Sequence, residues 1–380
     1  MPTPAVSGST SAGLRQGGVG QGDNGHCRAH AVGLDGSVMS DFSLSVLNPR
    51  GDDPDQHFHD YAGNPDPTVH GPINYHGYAA CVAGRYLRDV DAAVRINAPV
   101  LLLLQPNFKT CLKALKRLKA AGLTVAVTLK EAGQPQFHAQ TRNPRNLAVL
   151  IEILNLADGV LSSNHYMVPI YRALVGERGQ PPPRFVPTPY PVDDPRWDHS
   201  VEVEGRQGIF VGTRHFGQPG RNHLQALIIV GALARQLDCP IGLIGDNDRN
   251  LNEILEILGV DRSRCNVRRQ LPYPDYLRFM ARFRVVFQLD TLATCGQVAG
   301  DCTLTRQICL GGNGSIDTMV FPEFQAAGQD RGALLRSLEE IMTNDGYYRD
   351  SLATAEKRAQ DLLSFEVVRS ELAAYFASIA

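Results

Sequence analysis

Gly208-Ile-Phe-Val-Gly-Thr-Arg214 and Pro240-Ile-Gly-Leu-Ile-Gly-Asp246 are two short apolar runs that each end in glycine followed by a polar residue. Apolar runs of this length between chain breakers read as strands buried on both faces. The stretch between them, 223–237, carries the 3.6-residue apolar period of a helix, so the pair forms a strand-helix-strand unit. The same rhythm continues with a helix over 251–258, a strand over 266–268, a helix over 274–283 and a strand over 284–289. Alternation of this kind predicts a parallel sheet with helices on both faces.

Towards the N-terminus the pattern repeats. Strands are expected over 68–72, 92–96, 100–105, 123–129, 159–162 and 184–187, with helices over 77–90, 109–121, 146–156 and 167–175. Between the two series lie Gly179-Gln-Pro-Pro-Pro183 and Pro187-Thr-Pro-Tyr-Pro-Val-Asp-Asp-Pro195. Proline lacks the amide donor and restricts the residue before it, so this stretch is a linker. The expected fold class is therefore α/β, two Rossmann-like doubly wound parallel-sheet domains facing a cleft. The expected division is an irregular N-terminal extension over 1–66, a first domain over 67–190, a linker over 191–205, a second domain over 206–350 and a closing helical segment over 351–380. Within the extension, rich in Gly, Ser, Asp, Asn and Pro, only 43–47 reads as a strand. Its Gly17-Gly-Val-Gly-Gln-Gly22 run has no preceding strand and no following helix with Lys-Ser/Thr, so it resembles a phosphate loop only superficially and reads as a flexible segment.

A chain of 380 residues with 43% hydrophobic and 20% charged residues is large enough for two cores. Its formal net charge of −2 excludes a general attraction to nucleic acid or to an anionic membrane. The longest strongly apolar run, Val100-Leu-Leu-Leu-Leu104, is far below the ~20 residues of a membrane helix, which leaves only peripheral membrane contact open. Eight dispersed cysteines and no basic-then-apolar leader point to reduced thiols and a cytoplasmic location. Cys295, Cys302 and Cys309, seven apart, are expected on one buried helix face, and no metal-ligand set surrounds them. His57, His59, His70 and His76 likewise match no standard metal spacing.

In open parallel sheets, ligands bind outside the carboxyl ends of the strands. Gly212, Thr213 and Arg214 stand at one such end, with Arg221 following in Gly220-Arg221-Asn222, and Gly245 and Asp246 stand at the next. Glycine lets a phosphate approach the backbone, and arginine offers planar permanent donors. Gly296-Gln297-Val298-Ala299-Gly300-Asp301 opens a further helix whose first amides can face phosphate, with Asp301 placed to accept from ribose hydroxyls. On the N-terminal side, Asn164-His165 ends a strand and reads either as a cleft contact or as a helix cap.

From about Arg206 to its end the chain resembles the C-terminal domain of the GT-B fold, group-1 (family 4) glycosyltransferases. The resemblance rests on the strand ending Val211-Gly212, the Gly245-Asp246 turn, the Leu271-Pro-Tyr-Pro-Asp-Tyr-Leu277 segment, Leu310-Gly311-Gly312 and the closing Ser364-Phe365-Glu366. The family signature of Glu, two residues, Gly, four residues and Glu is matched by Ala293, Gly296 and Asp301, so the first glutamate is absent and the second is shortened. Gly71-Pro-Ile-Asn-Tyr-His-Gly-Tyr78, with His76 and Gly77, is similar to the family's first strand-helix loop on the acceptor side. Lys130-Glu131 stands where many relatives have His-Asp.

The resemblance implies transfer of a sugar from a nucleoside diphosphate sugar to an acceptor (glycan, lipid or small molecule), with retention and without metal or cofactor. It gives Lys130, Glu131 and Arg214 as catalytic candidates. Gly212, Thr213, Arg221, Gly245, Asp246, Gln270, Leu271, Gly296, Gln297, Gly300, Asp301, Gly77 and His76 are the binding candidates. Ala293 keeps a second reading open, a GT-B protein that binds a nucleotide or glycan without transferring it. A sugar-nucleotide epimerase is the third, for which the sequence offers no set of acid-base residues.

Overall fold

A computed structural model describes residues 42–61, 63, 65, 68–176, 181–212, 220–245, 248–326 and 330–380. The glycine run 17–22 and Cys27 lie outside the described residues. Among the described residues, twelve strands form two sheets: β1 (Ser45–Leu47), β2 (Gln56–His57), β3 (Arg85–Leu87), β4 (Val100–Leu104), β5 (Val125–Leu129), β6 (Gly159–Ser162) and β7 (Arg184–Phe185) in the first, β8 (Ile209–Val211), β9 (Ile241–Ile244), β10 (Cys265–Arg268), β11 (Val285–Phe287) and β12 (Ile308–Leu310) in the second. Their orders are β2-β3-β1-β4-β5-β6-β7 and β10-β9-β8-β11-β12. All pairings are parallel except β2 with β3. This is the doubly wound arrangement expected from the strand-helix rhythm.

Strand β4 shows why the first sheet needs helices on both faces. Successive side chains of a strand point to opposite sides, so Val100, Leu102 and Leu104 join one core with Phe108, Leu115, Leu118, Leu150 and Ile153. Leu101 and Leu103 enter another with Tyr78, Ala79, Val368, Leu372, Tyr375 and Phe376. The helices of the first core are closed by capping: Asn107 Oδ1 accepts from the Thr110 amide (3.3 Å) and Asn143 Oδ1 from the Arg145 amide (2.9 Å). The second core is completed by the helix Phe365–Ile379, the last of the chain, which covers the face of the N-terminal sheet.

Several local expectations are corrected. Ser45–Leu47 is an inner strand, hydrogen-bonded on one side to β3 and on the other to β4, so the first sheet begins inside the stretch read as an irregular extension. Residues 90–96 form a helix, not a strand: Asp89 caps it by accepting from the Asp91 amide (3.0 Å), and Asn97 ends it in the left-handed region. The strand lies just before it, at β3. Residues 68–72 are turn and loop. The three cysteines share no helix, because Cys295 precedes the helix Gln297–Thr305, Cys302 lies within it and Cys309 lies in β12.

Leu372 is fully buried in the layer that the closing helix supplies. Leu372→Ala is expected to cost about 2–5 kcal/mol in urea unfolding. A loss below ~1 kcal/mol would show that this helix does not hold the N-terminal sheet.

Candidate active site

The carboxyl ends of both sheets open onto one cleft with a volume of about 770 Å³. Loops of the N-terminal half contribute Asp53, His70 and Lys130–Gly133; loops of the C-terminal half contribute Arg221, Gln270, Leu271, Tyr273, Gln288, Asp290, Thr294–Gln297, Asp301, Gly312–Gly314 and Asp317.

Two glycines set the shape of the C-terminal wall. Gly296 has φ +87°, which side chains disfavour, and this turn starts the helix Gln297–Thr305 at the cleft. Gly314 passes so close that a Cβ on it would lie 2.4 Å from the Gly296 Cα. Beneath them Asp317 accepts from the Gly314 amide (2.9 Å), and burial pushes its carboxyl up to about 6. Asp290 accepts from the Leu292 amide (2.7 Å); burial also raises it, while Arg221 pulls it down. Asp301 is buried and accepts from the Tyr273 hydroxyl at 2.7 Å.

The seam between the halves is polar and closes on Asn164. Its Nδ2 donates to the Ala132 carbonyl (2.7 Å) and to the Ala293 carbonyl (2.8 Å), and its Oδ1 accepts from the Tyr166 amide (3.0 Å) and the Ser315 hydroxyl (3.2 Å). The Ser315 hydroxyl also accepts from the His165 amide at 3.0 Å, and the Gln134 amide donates to the Ala293 carbonyl at 3.4 Å. Asn164 is thus both cap and interdomain bridge, and the bridge lands on Ala293.

Of the sequence candidates, the fold brings Lys130, Glu131, Arg221, Gln270, Leu271, Gly296, Gln297 and Asp301 to the cleft. Thr213, Arg214 and Asp246 lie outside the described residues. Five others do not border the cleft. The Gly300 amide is spent inside the helix on the Gly296 carbonyl (3.0 Å), and a Cβ there would strike the Tyr190 ring at 2.1 Å, so this glycine admits a linker tyrosine, not a phosphate. Gly212 packs against the His223 ring, and the Gly245 amide donates to the Arg268 carbonyl (3.0 Å). The Gly77 amide donates to the Ile73 carbonyl (3.1 Å), and His76 is buried between His70 and Tyr86. Asp53, Asp290 and Asp317 were missed. For Asp317 a signal existed, three residues after Gly314 at the start of the helix Ser315–Val320, the spacing of a capping box.

Lys130 points towards the N-terminal wall, with Nζ 3.7 Å from the Asp53 carboxylate. Its position fixes a cation at the end of β5, where the Lys130 amide donates to the Leu104 carbonyl (2.9 Å). Among the described residues no cluster of three or more His, Cys, Asp or Glu has the arrangement of a metal site.

Asp317 binds its proton more tightly folded than unfolded, so its burial contributes no loss of stability below about pH 4 and a growing loss as pH rises to about 6. Asp317→Asn, which keeps an oxygen for the Gly314 amide, should flatten this slope and stabilise the protein at pH 7 by up to ~3 kcal/mol. Urea unfolding at pH 4 and pH 7 measures it; an unchanged slope would exclude a buried, raised carboxyl. Asn164→Ala strips the Ala132 and Ala293 carbonyls of their shared donor and should cost about 1–3 kcal/mol. The same variant should accelerate amide exchange in 293–296, and unaltered exchange there would show that the seam does not depend on Asn164.

No family model matches the sequence, and no curated protein matches it. Solved structures do. A sucrose-phosphate synthase from Thermosynechococcus elongatus superposes with a TM-score of 0.59 at 15% identity, covering 89% of this chain and 99% of that one. HepE from Anabaena, solved with UDP, superposes with a TM-score of 0.60 at 11% identity, covering 89% and 100%. An alpha,alpha-trehalose 6-phosphate synthase from Burkholderia multivorans gives 0.60 at 9% identity, covering 89% and 97%. The agreement spans both sheets, and the chain therefore has the fold of the GT-B glycosyltransferases.

Proposed function

We propose that this protein is a glycosyltransferase that takes a nucleoside diphosphate sugar in its C-terminal half and an acceptor in its N-terminal half. The observation that carries the reading is one cleft with a glycine-opened helix N-terminus, Arg221 and a buried Asp301 on one side and Lys130-Glu131 on the other. HepE, similar in fold over nearly the whole chain, is solved with UDP, which supports a nucleotide on this scaffold.

In this reading the diphosphate meets Arg221 and the first amides after Gly296, where guanidinium and helix dipole both favour an anion. Arg214 and Thr213 belong to the same strand-end loop by sequence. Asp301 accepts from the ribose hydroxyls, its orientation set by Tyr273, and Gln270 and Leu271 edge the base pocket. The acceptor oxygen bonds to the anomeric carbon as the bond to the diphosphate oxygen breaks. The electron pair stays on the diphosphate, which also takes the acceptor's proton; because the acceptor bonds on the face that the diphosphate leaves, the configuration is retained. Fixed charges carry this chemistry, Arg221 on the leaving group and Lys130-Glu131 across the cleft, without metal.

Ala293 favours a second reading, a nucleotide- or glycan-binding protein without turnover. Its methyl cannot replace the glutamate of related signatures, and its carbonyl is committed to Asn164.

UDP or GDP at about 100 times its dissociation constant should stabilise the protein by ~2.7 kcal/mol. Arg221→Ala should weaken that binding by about tenfold. Release of free diphosphate from a panel of sugar nucleotides then separates transfer or hydrolysis from binding alone. Absence of any nucleotide-dependent shift in Tm would sink the transferase reading and leave of the second only a glycan-binding protein.

A further inference from the structure

Facing the nucleotide wall, the N-terminal half carries a column of three rings. His70 and His76 stack with centroids 3.7 Å apart and planes 10° apart, and His76 and Tyr86 stack at 3.7 Å and 14°. Tyr86 is buried in β3, His76 is buried in the helix Asn74–Ala80, and His70 borders the cleft. The column is anchored at its base, where the Tyr86 hydroxyl accepts from Asn48 Nδ2 (2.7 Å) and donates to Asp53 Oδ2 (3.3 Å). His70 is anchored by its own backbone, Nδ1 lying 2.8 Å from the Gly71 carbonyl, and by Gln56 Nε2 donating to the His70 carbonyl (3.3 Å). Burial, with His70 and Lys130 nearby, pushes His76 down to about 2, so the middle ring is neutral at any physiological pH. Neither the catalytic roles proposed above nor a core requirement accounts for a histidine stack that ends at a cleft.

We propose that this wall is the acceptor site and that its ligand is an uncharged sugar ring, which stacks on His70 and donates hydroxyl hydrogens to Asp53. The inference rests on the transferase reading and adds the acceptor's class to it. A sugar presents a face of C–H groups, which settles on the electron-rich face of an aromatic ring, and an edge of hydroxyls, for which a carboxylate is an acceptor. His70 and Asp53 supply one of each, linked through Tyr86 and His76. Charge decides against a phosphorylated sugar: among the described residues, the ionisable ones lining this side are Asp53, His70, Lys130 and Glu131. A phosphate would face two carboxylates, and the one ammonium already lies 3.7 Å from Asp53.

The test uses the full chain, with and without UDP, and three uncharged probes, methyl α-glucoside, methyl α-mannoside and methyl β-galactoside, against glucose 6-phosphate. Saturation-transfer NMR reads sugar binding, and calorimetry reads UDP. At least one methyl glycoside should bind more tightly than glucose 6-phosphate. His70→Ala should weaken it by about fivefold, while His70→Phe, which keeps a ring, should retain it. Asp53→Asn should also weaken it, and UDP affinity should be the same in all three variants. Tighter binding of glucose 6-phosphate, no binding of any methyl glycoside, or indifference to His70→Ala would overturn the proposal. Loss of sugar binding with UDP binding intact would leave the donor reading standing, and sugar binding without UDP binding would sink the donor reading and keep the wall.

Discussion

The cleft depends on the way one buried amide is satisfied. Asn164 has two donor hydrogens and one carbonyl oxygen, and all are used: two carbonyls, one amide and one hydroxyl, contributed by both halves. A buried amide with a missing partner is costly, so this set defines one register between the sheets. In that register the Ala293 loop, the Gly296 turn and Ser315 stand opposite Lys130-Glu131. The residues that line the cleft from the two halves are therefore placed by a contact outside its lining.

Much of the architecture was legible because the physics behind it is local. Runs such as Val100–Leu104 and Val125–Leu129 are apolar throughout, which fits only strands covered on both faces, and the intervening helices carry caps and a 3.6-residue period. What was lost depends on distant partners. Ser45–Leu47 is three residues long in a glycine- and proline-rich stretch, and it becomes an inner strand only because β3 and β4 bracket it. The loop that follows it carries Asp53, so assigning this strand, legible in itself, to an irregular extension also hid a cleft residue. Val90–Ile96 has branched residues that suit either state, and the Asp89 cap and Asn97 stop decided it.

The candidate site divided along the same line. The order of strand-end loops located Arg221, Gln270, Leu271, Gly296, Gln297 and Asp301 at the cleft, since position along a parallel strand fixes which end a loop occupies. Individual glycines were not legible in this way. Gly296 and Gly300 look alike in sequence, yet one carries a positive φ at a helix start and the other makes room for Tyr190. His76 likewise sits in a loop-like stretch, and its burial comes from Tyr86 on a strand that the pattern did not reveal.

Ala293 is the point at which these strands of reasoning meet. A glutamate there would add a carboxylate three residues after Asp290, which burial raises as it does Asp317, Asp290 itself being among the groups that raise Asp317. A third ionised acid in that setting would need desolvation and repulsion to be offset by a cation, and of the described cationic side chains only Arg221 borders the C-terminal side of the cleft. Alanine adds no such acid, and the loop closes on Asn164 through the backbone carbonyl of this residue. Beneath the glycine turn, then, buried acids stand close to the seam, and the backbone of the Ala293 loop makes the interdomain contact.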